Sequence, residues 1–353
     1  MARLAPGSKD TVVCNRDGFN LLQEETWGGN VELACPPVLG WRGFRALSEL
    51  TALGAYASRR FDALLNVALT APVATRAANV VLVADLTWLK FADLGDGGSA
   101  ARIWRLVVPP AVRRADRVIA LTEDGREEIV ELLGLPRERI DVIGLGFDEA
   151  RSAIPTPENE LRDRLGLGDG PVVLNLAAKK AHKNLLRLVE AHALVVRELP
   201  GARLVMPGAR TPYEDLLRAR AAELGIQESV VFPGFVSDAD REGLYALAGC
   251  LAFPSLNEGF GLPLLEAMAR DVPVVTSSVS AMPEVAGEAA LLVNPESVPA
   301  IASAIVEALT EDALRERLVL LGRERISLFR WDEIAAQTLR SLARAVAGKA
   351  VAA

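Results

Sequence analysis

Apolar residues along this chain gather in short continuous runs separated by longer amphipathic stretches. In the second half the runs are VVLNLA (172–177), RLVMPG (203–208), VVFPG (230–234), CLAFPS (250–255), VPVVTS (272–277) and ALLVNP (290–295). Runs without polar alternation predict strands buried on both faces, as in a parallel sheet flanked by helices. The first half repeats the pattern with VVLVADLTWL (80–89), RVIAL (117–121) and DVIGLG (141–146). Helical stretches such as DGREEIVELLG lie between these runs. There Thr122 or Asp124 is placed to cap the helix, with Glu127 positioned for a capping box. The pattern predicts an α/β chain in which a doubly wound sheet forms twice.

The division between the two sheets is expected in DEARSAIPTPENELRDRLGLGDG, a polar stretch in which Pro155 and Pro157 stop the preceding unit. The expected domains are therefore residues 1–152 and 153–328, followed by a closing segment, 329–353. Its WDEIAAQTLRSLARAVAG reads as a helix that packs back across the first domain. The chain opens unusually. A doubly wound domain starts with a strand and a glycine-rich turn, whereas MARLAPGSKDTVVCN reads as a helix end, a turn and then a strand where a second one is due. The first domain is thus expected to lack its first strand. A start assigned too far downstream is the simpler cause, and a variant with one strand fewer is the alternative.

Composition narrows the classes. The chain has 353 residues and a net charge of −7, which argues against a nucleic-acid partner, since phosphate backbones call for basic patches. Cys14, Cys35 and Cys250 are odd in number and widely spaced, and read as reduced thiols of a cytoplasmic protein. Two histidines do not make a metal site. No apolar run reaches the ~18 residues of a membrane span, and MARLAPGSKD lacks the apolar core of a secretory leader.

The candidate chemistry lies in SLNEGFGLPLLEAMARDVPVV, at a strand-to-helix junction. Pro263 suits a first helical position. Gly259 and Gly261 let backbone approach a ligand, and the free N–H groups of a helix start favour an anion, naturally a phosphate. Glu258 and Glu266 cannot bind that phosphate, but a carboxylate accepts hydrogen bonds from hydroxyls. Acids on both sides of an anion seat match a nucleotide sugar, with ribose hydroxyls, diphosphate and sugar hydroxyls in line. The competing reading has Glu258 capping the helix and Glu266 merely solvated.

The full string resembles the E-x7-E motif of retaining GT-B glycosyltransferases, in particular family 4, the glycosyl transferases group 1. PVVLNLAAKKAHKNLLRLVEAHALV resembles the first strand and KNL helix start of that family's donor domain. VVFPGFVSDADREGLYALAGCLAFPS resembles the segment lining the base pocket, and VPVVTSSVSAMPEVAGEAALLVNP and RRADRVIALTEDGREEIVELLGLPRERIDVIGLGFD match further family strings. The resemblance implies a GT-B fold, two Rossmann-like domains facing across a cleft. It implies that Glu258 faces the transferred sugar and that Lys183 neutralises the leaving diphosphate. Gly259, Phe260, Gly261 and Leu262 would hold the sugar and diphosphate, Glu266 the ribose, and Val236 would lie with the base segment. Asp85 would stand on the acceptor side. No cofactor and no metal is implied, because a positioned cation stabilises the leaving group and no Asp-x-Asp motif is present.

This chain departs from the family pattern in places. Ala84 stands where a histidine usually precedes Asp85. The first donor-domain strand ends in Ala177-Ala178 rather than Gly followed by Arg or Thr, and His182 replaces the expected arginine before Lys183. Lys179 or Lys180 could supply the charge, or both could be surface lysines; a lysine does not reproduce an arginine fork. His192, on a helix face with Leu188 and Val195, reads as packed rather than catalytic. Arg102, Trp104, Arg105, Arg113, Arg114 and Arg117 form a basic stretch that could meet an anionic inner membrane surface. Pro109-Pro110 is expected to break any single long helix there, and a solvated face is the favoured reading.

The expected activity is transfer of a hexose, mannose- or rhamnose-like, from a nucleotide-diphosphate sugar to a hydroxyl of a glycan or lipid-linked saccharide, with retention. The alternative is an impaired homologue that binds a nucleotide sugar or a partner subunit. A phosphorylase or epimerase on the same fold is argued against by the paired glutamates.

Overall fold

The structure is a computed structural model describing residues 10–14, 16–23, 31–36, 49–67, 70–91, 99–148 and 153–352. The chain forms two compact units, one of residues 1–146 with 330–353 and one of residues 147–329. Nine residues at the start, and with them the expected helix end and turn, lie outside the described residues.

In the first unit, β1 (Asp10–Val13) pairs in parallel with β2 (Val31–Ala34). A separate parallel sheet runs β3 (Ala63–Asn66), β4 (Ala78–Val83), β5 (Arg117–Ala120) and β6 (Ile140–Val142) in spatial order. One face of it buries Val81, Val118 and Ala120 against Val108, Ala111 and Val112 of the helix Ser99–Arg114. Alternate residues, Val80 and Ile119, pack with Ile334, Leu342 and Ala345 of the final helix, Trp331–Ala352. Asp141 fastens that helix. It accepts a fork from Arg117 at 2.6 and 2.7 Å and a hydrogen bond from Ser341 at 2.6 Å. Arg344 stands 2.9 Å away.

Two local expectations are corrected. Pro109 and Pro110 do not break the helix, which continues from Ser99 to Arg114. Each proline removes a bond to the carbonyl four residues back. Those carbonyls belong to Arg105 and Leu106, on the exposed side where water can serve them, while Val108, Ala111 and Val112 bury the other side. The helix Glu123–Leu133 is capped by Thr122, whose hydroxyl accepts from Gly125 N. The third helical position is then Gly125, so no capping box forms, and Glu127 instead pairs with Arg137.

All six apolar runs of the second half become strands: β7 (Val172–Leu174), β8 (Arg203–Val205), β9 (Val230–Val231), β10 (Ala248–Phe253), β11 (Val274–Ser277) and β12 (Ala290–Val293). They form one parallel sheet in the order β12-β11-β10-β7-β8-β9. Val173, Leu204, Cys250 and Val275 face the helices Leu185–Glu198 and Val298–Thr310. The alternate set, Val172, Leu174, Leu251 and Val274, is equally buried. On that side pack the helices Asp238–Leu247 and Leu262–Met268. Burial pushes the Cys250 thiol up to about 12, as befits an inert core residue.

Candidate active site

The sheet of the second unit grows outward from β7 in one direction, through β8 to β9, and then restarts at β10 on the other side of β7. The connections leaving β7 and β10 must therefore diverge, and a crevice opens beyond the carboxyl ends of these neighbours. Every donor-side candidate except Val236 sits on the segments that follow those two strands.

Beyond β7, Asn175 sends its side-chain amide to Ala252 O at 2.8 Å, tying the strand ends together. The chain then makes a 3-10 turn, Ala181–Lys183, and Asn184 takes a left-handed conformation with φ 60°. The buried Asn184 amide donates to Pro254 O at 3.0 Å and Pro295 O at 2.7 Å, spanning the exits of β10 and β12. The carbonyl of His182 accepts from Leu256 N at 2.8 Å. These bonds clamp the turn against the loop after β10, and so Lys183 Nζ lies 2.6 Å from Glu258 Oε1. The pair is half-screened from water, with 16% and 11% side-chain exposure. Glu258 is held through its backbone as well. Its N–H donates to Ser280 Oγ, and that hydroxyl donates back to Glu258 O, each at 3.1 Å.

Gly261 follows with φ 104°, and a Cβ there would lie 2.6 Å from Met282 Cε. This position needs glycine on conformational grounds first, since the methionine tip can move. Pro263 stands in the first turn of the helix Leu262–Met268. Phe260 is buried and meets Phe329 edge to face at 5.7 Å between centroids, so its ring serves packing while its backbone lines the turn. Leu262 is exposed. One turn into the helix, Glu266 accepts a 2.7 Å hydrogen bond on Oε2 from the Tyr245 phenol.

Lys179 is placed elsewhere. It is only 2% exposed, which removes the surface alternative for this residue. Its ammonium donates to Gly208 O at 2.9 Å and lies 3.3 Å from Glu214, itself gripped by Arg218 at 2.7 and 2.9 Å. Burial pushes its pKa down, and Glu214 opposes that shift. Lys180 is exposed. Val236 lies two residues past Gly234, whose carbonyl accepts from Gly208 N at 2.7 Å. The segment that carries Val236 thus rests on the loop that Lys179 braces.

In the first unit, Asp85 accepts from Thr87 N at 3.0 Å and shapes the turn into the short helix Thr87–Lys90. His192 is fully buried, and its pKa is pushed down to about 4 by burial, with the Arg203 charge adding to the effect. It is a neutral core residue and not part of the site. Asn184, Ser280 and Tyr245 escaped sequence reasoning. Only Asn184 carried a local signal, since asparagine tolerates the left-handed region.

Residues 157–325 match the family model described as glycosyl transferases group 1, and residues 5–146 match a glycosyl transferase 4-like domain. An O-antigen chain mannosyltransferase B of Escherichia coli is 32% identical over 232 residues, covering 64% of this chain and 60% of that protein. A GDP-mannose-dependent alpha-(1-6)-phosphatidylinositol monomannoside mannosyltransferase of Mycobacterium tuberculosis is 34% identical over 216 residues, 57% of this chain and 55% of that one. The match therefore spans less than two thirds of these relatives' length. Among solved structures, Anabaena HepE in complex with UDP superposes with a TM-score of 0.71 at 22% identity, covering 94% of this chain and 91% of that one. The fold is that of GT-B glycosyltransferases, and the chain is built of a glycosyl transferase 4-like domain followed by a group 1 glycosyl transferase domain.

Proposed function

We propose that this protein transfers a hexosyl group, mannose- or rhamnose-like, from a nucleoside-diphosphate sugar to a hydroxyl of a glycan or lipid-linked saccharide, with retention at the anomeric carbon. The observation that carries the reading is the meeting of Lys183, Glu258 and the Gly259–Glu266 turn beyond β7 and β10, where a doubly wound sheet opens its crevice. Three mannosyltransferase names among the relatives favour the sugar. A kanosaminyltransferase relative at 31% identity keeps the preference open to test.

In this reading the bond between the anomeric carbon and the diphosphate oxygen breaks, and the acceptor oxygen bonds to that carbon on the same face. The departing diphosphate keeps the electron pair and takes the acceptor proton. Lys183 stabilises the negative charge that builds there, exchanging its partner Glu258 for phosphate oxygens. Glu258 is then released to accept hydrogen bonds from sugar hydroxyls. Glu266 accepts from the ribose, and Lys179 supports the base-side loop from within the fold instead of touching the diphosphate. Lys183 supplies the positive charge, so transfer is expected to persist in the presence of EDTA.

A cytoplasmic location belongs to the same proposal, with peripheral membrane contact through the exposed Trp104, Arg105 and Leu106 and the nearby Arg113 and Arg114. No described helix is long and apolar enough to cross a membrane.

The deciding experiment is calorimetric titration with UDP, GDP, TDP and ADP without added metal. Binding of one nucleotide, abolished in Glu266→Ala, supports the donor site and names its base. Absence of binding to all four refutes the donor reading and favours an impaired homologue.

A further inference from the structure

We infer that Tyr245 is a positioning residue that aims the Glu266 carboxylate, and that it sets the discrimination between ribose and deoxyribose in the donor nucleotide. The inference rests on the proposed role of Glu266 at the ribose. Tyr245 belongs to the helix Asp238–Leu247 and has no exposed surface, yet its hydroxyl reaches Glu266 Oε2 at 2.7 Å. Among the described residues it is the one hydrogen-bond donor to that carboxylate. Burial and the adjacent Glu266 charge raise the phenol well above its ordinary pKa. The phenol therefore keeps its proton and always donates.

A carboxylate on a free Glu side chain swings about its last torsion. With Oε2 fixed by a buried donor, the carboxylate plane is fixed, and Oε1 is left for a ligand hydroxyl.

The phenol is itself held. Arg270 lies 4.9 Å from the centre of the Tyr245 ring. Its guanidinium forks onto Glu242 at 2.5 and 2.7 Å, and it donates to Glu266 O at 2.9 Å. Glu242 and Arg270 are nearly buried, with 1% and 9% side-chain exposure. The fork matters because an unengaged arginine at this position would compete for the Glu266 carboxylate. Glu242 occupies Arg270, and Arg270 can then bind the Glu266 backbone without disturbing its side chain. Glu242 and Tyr245 are three residues apart on one helix; Tyr245 meets Glu266 of the helix Leu262–Met268, and Glu242 meets Arg270 just past its end.

The test compares UDP and GDP with their 2′,3′-dideoxy forms by calorimetry on the full chain. The wild-type protein is expected to prefer the ribose form of its nucleotide by about tenfold or more, the magnitude of a charged hydrogen bond. Tyr245→Phe, which removes one oxygen, should weaken the ribose form by about tenfold and leave the dideoxy form unchanged. The ratio then collapses, and Tyr245→Phe adds nothing in a Glu266→Ala background. Equal weakening of both forms in Tyr245→Phe, with Glu266→Ala still erasing the preference, overturns the positioning role and leaves the donor site standing. A preference that survives Glu266→Ala, or no binding by the wild-type chain, overturns the ribose reading and this inference with it. Should thermal melting show that Tyr245→Phe does not fold, Arg270→Lys loosens the ring while keeping the phenol, and an unchanged ratio there overturns the inference.

Discussion

His192 gives a measurable acid sensitivity to the second unit. The ring lies on the helix Leu185–Glu198 between Leu188 and Val195, without exposure; burial lowers its pKa, and the Ser229 backbone beside it offsets only part of that shift. Its pKa falls from the ordinary 6.5 to about 4. The native state therefore holds a neutral ring over a pH range in which the unfolded chain binds a proton. Where the unfolded state binds more protons, stability rises with pH. The contribution is complete above the unfolded value of 6.5 and is lost as pH falls toward about 4. At about 1.4 kcal/mol per pH unit the full loss is about 3 kcal/mol. For a unit of this size that corresponds to a melting shift of about 6–12 °C. His192→Leu removes the titrating group, so it should escape this loss. The assay is hydrogen exchange of peptides from residues 185–198, with calorimetry, at pH 8 and at about pH 4.5. All five tryptophans lie outside residues 147–329, so tryptophan fluorescence follows the first unit as an internal control. If wild type and His192→Leu lose stability in parallel, the ring is protonated within the fold and the reasoning fails.

Other perturbations read the site and the first unit. Lys183→Ala should lower turnover by about a hundredfold, the scale of one lost transition-state charge contact, and by more than it weakens nucleotide binding; equal losses in steady-state and titration data would deny a leaving-group role. Asn184→Gly keeps the left-handed backbone but deletes two buried hydrogen bonds, at about 2 kcal/mol in chemical unfolding, and Asn184→Ala should cost about 1 kcal/mol more for φ 60°. Asp141→Asn should loosen the final helix and cost about 3 kcal/mol by leaving Arg117 without its counter-charge, seen as an earlier transition of the first unit's tryptophan fluorescence. Burial alone would raise the Asp141 pKa, but bonds from Arg117 and Ser341 and the charges of Arg117 and Arg344 outweigh it and hold the group below its ordinary value. Its stabilisation is thus present above the ordinary carboxylate range and fades as acid carries the pH through the lowered value.

The strands were legible because burial on both faces leaves continuous apolar runs, a local signature that survives without knowledge of neighbours. The junction from Glu258 to Glu266 was legible for a similar reason, since a positive φ at Gly261 and a proline in the first helical turn are demands of the chain on itself. Family strings placed Lys183 beside this junction in role, though not in space.

Sequence alone misjudged cases in which surroundings decide. Pro109-Pro110 signals a helix break locally, yet the lost bonds fall on the wet side of the helix Ser99–Arg114. The sequence around Lys179 suits either a donor-site cation or a surface lysine, whereas the fold buries its ammonium against Glu214 and Gly208 O. The meeting of Lys183 with Glu258, 75 residues apart, and of Tyr245 with Glu266, 21 apart, follows from strand order and helix packing. An apolar run reports that a strand is buried but not which strand lies next to it. The sequence by itself therefore determined the elements and the conformation of the turn between Glu258 and Glu266. Only the tertiary structure decided which side chains share the crevice, because β10 returns to pair with β7 and brings two distant loops onto one edge.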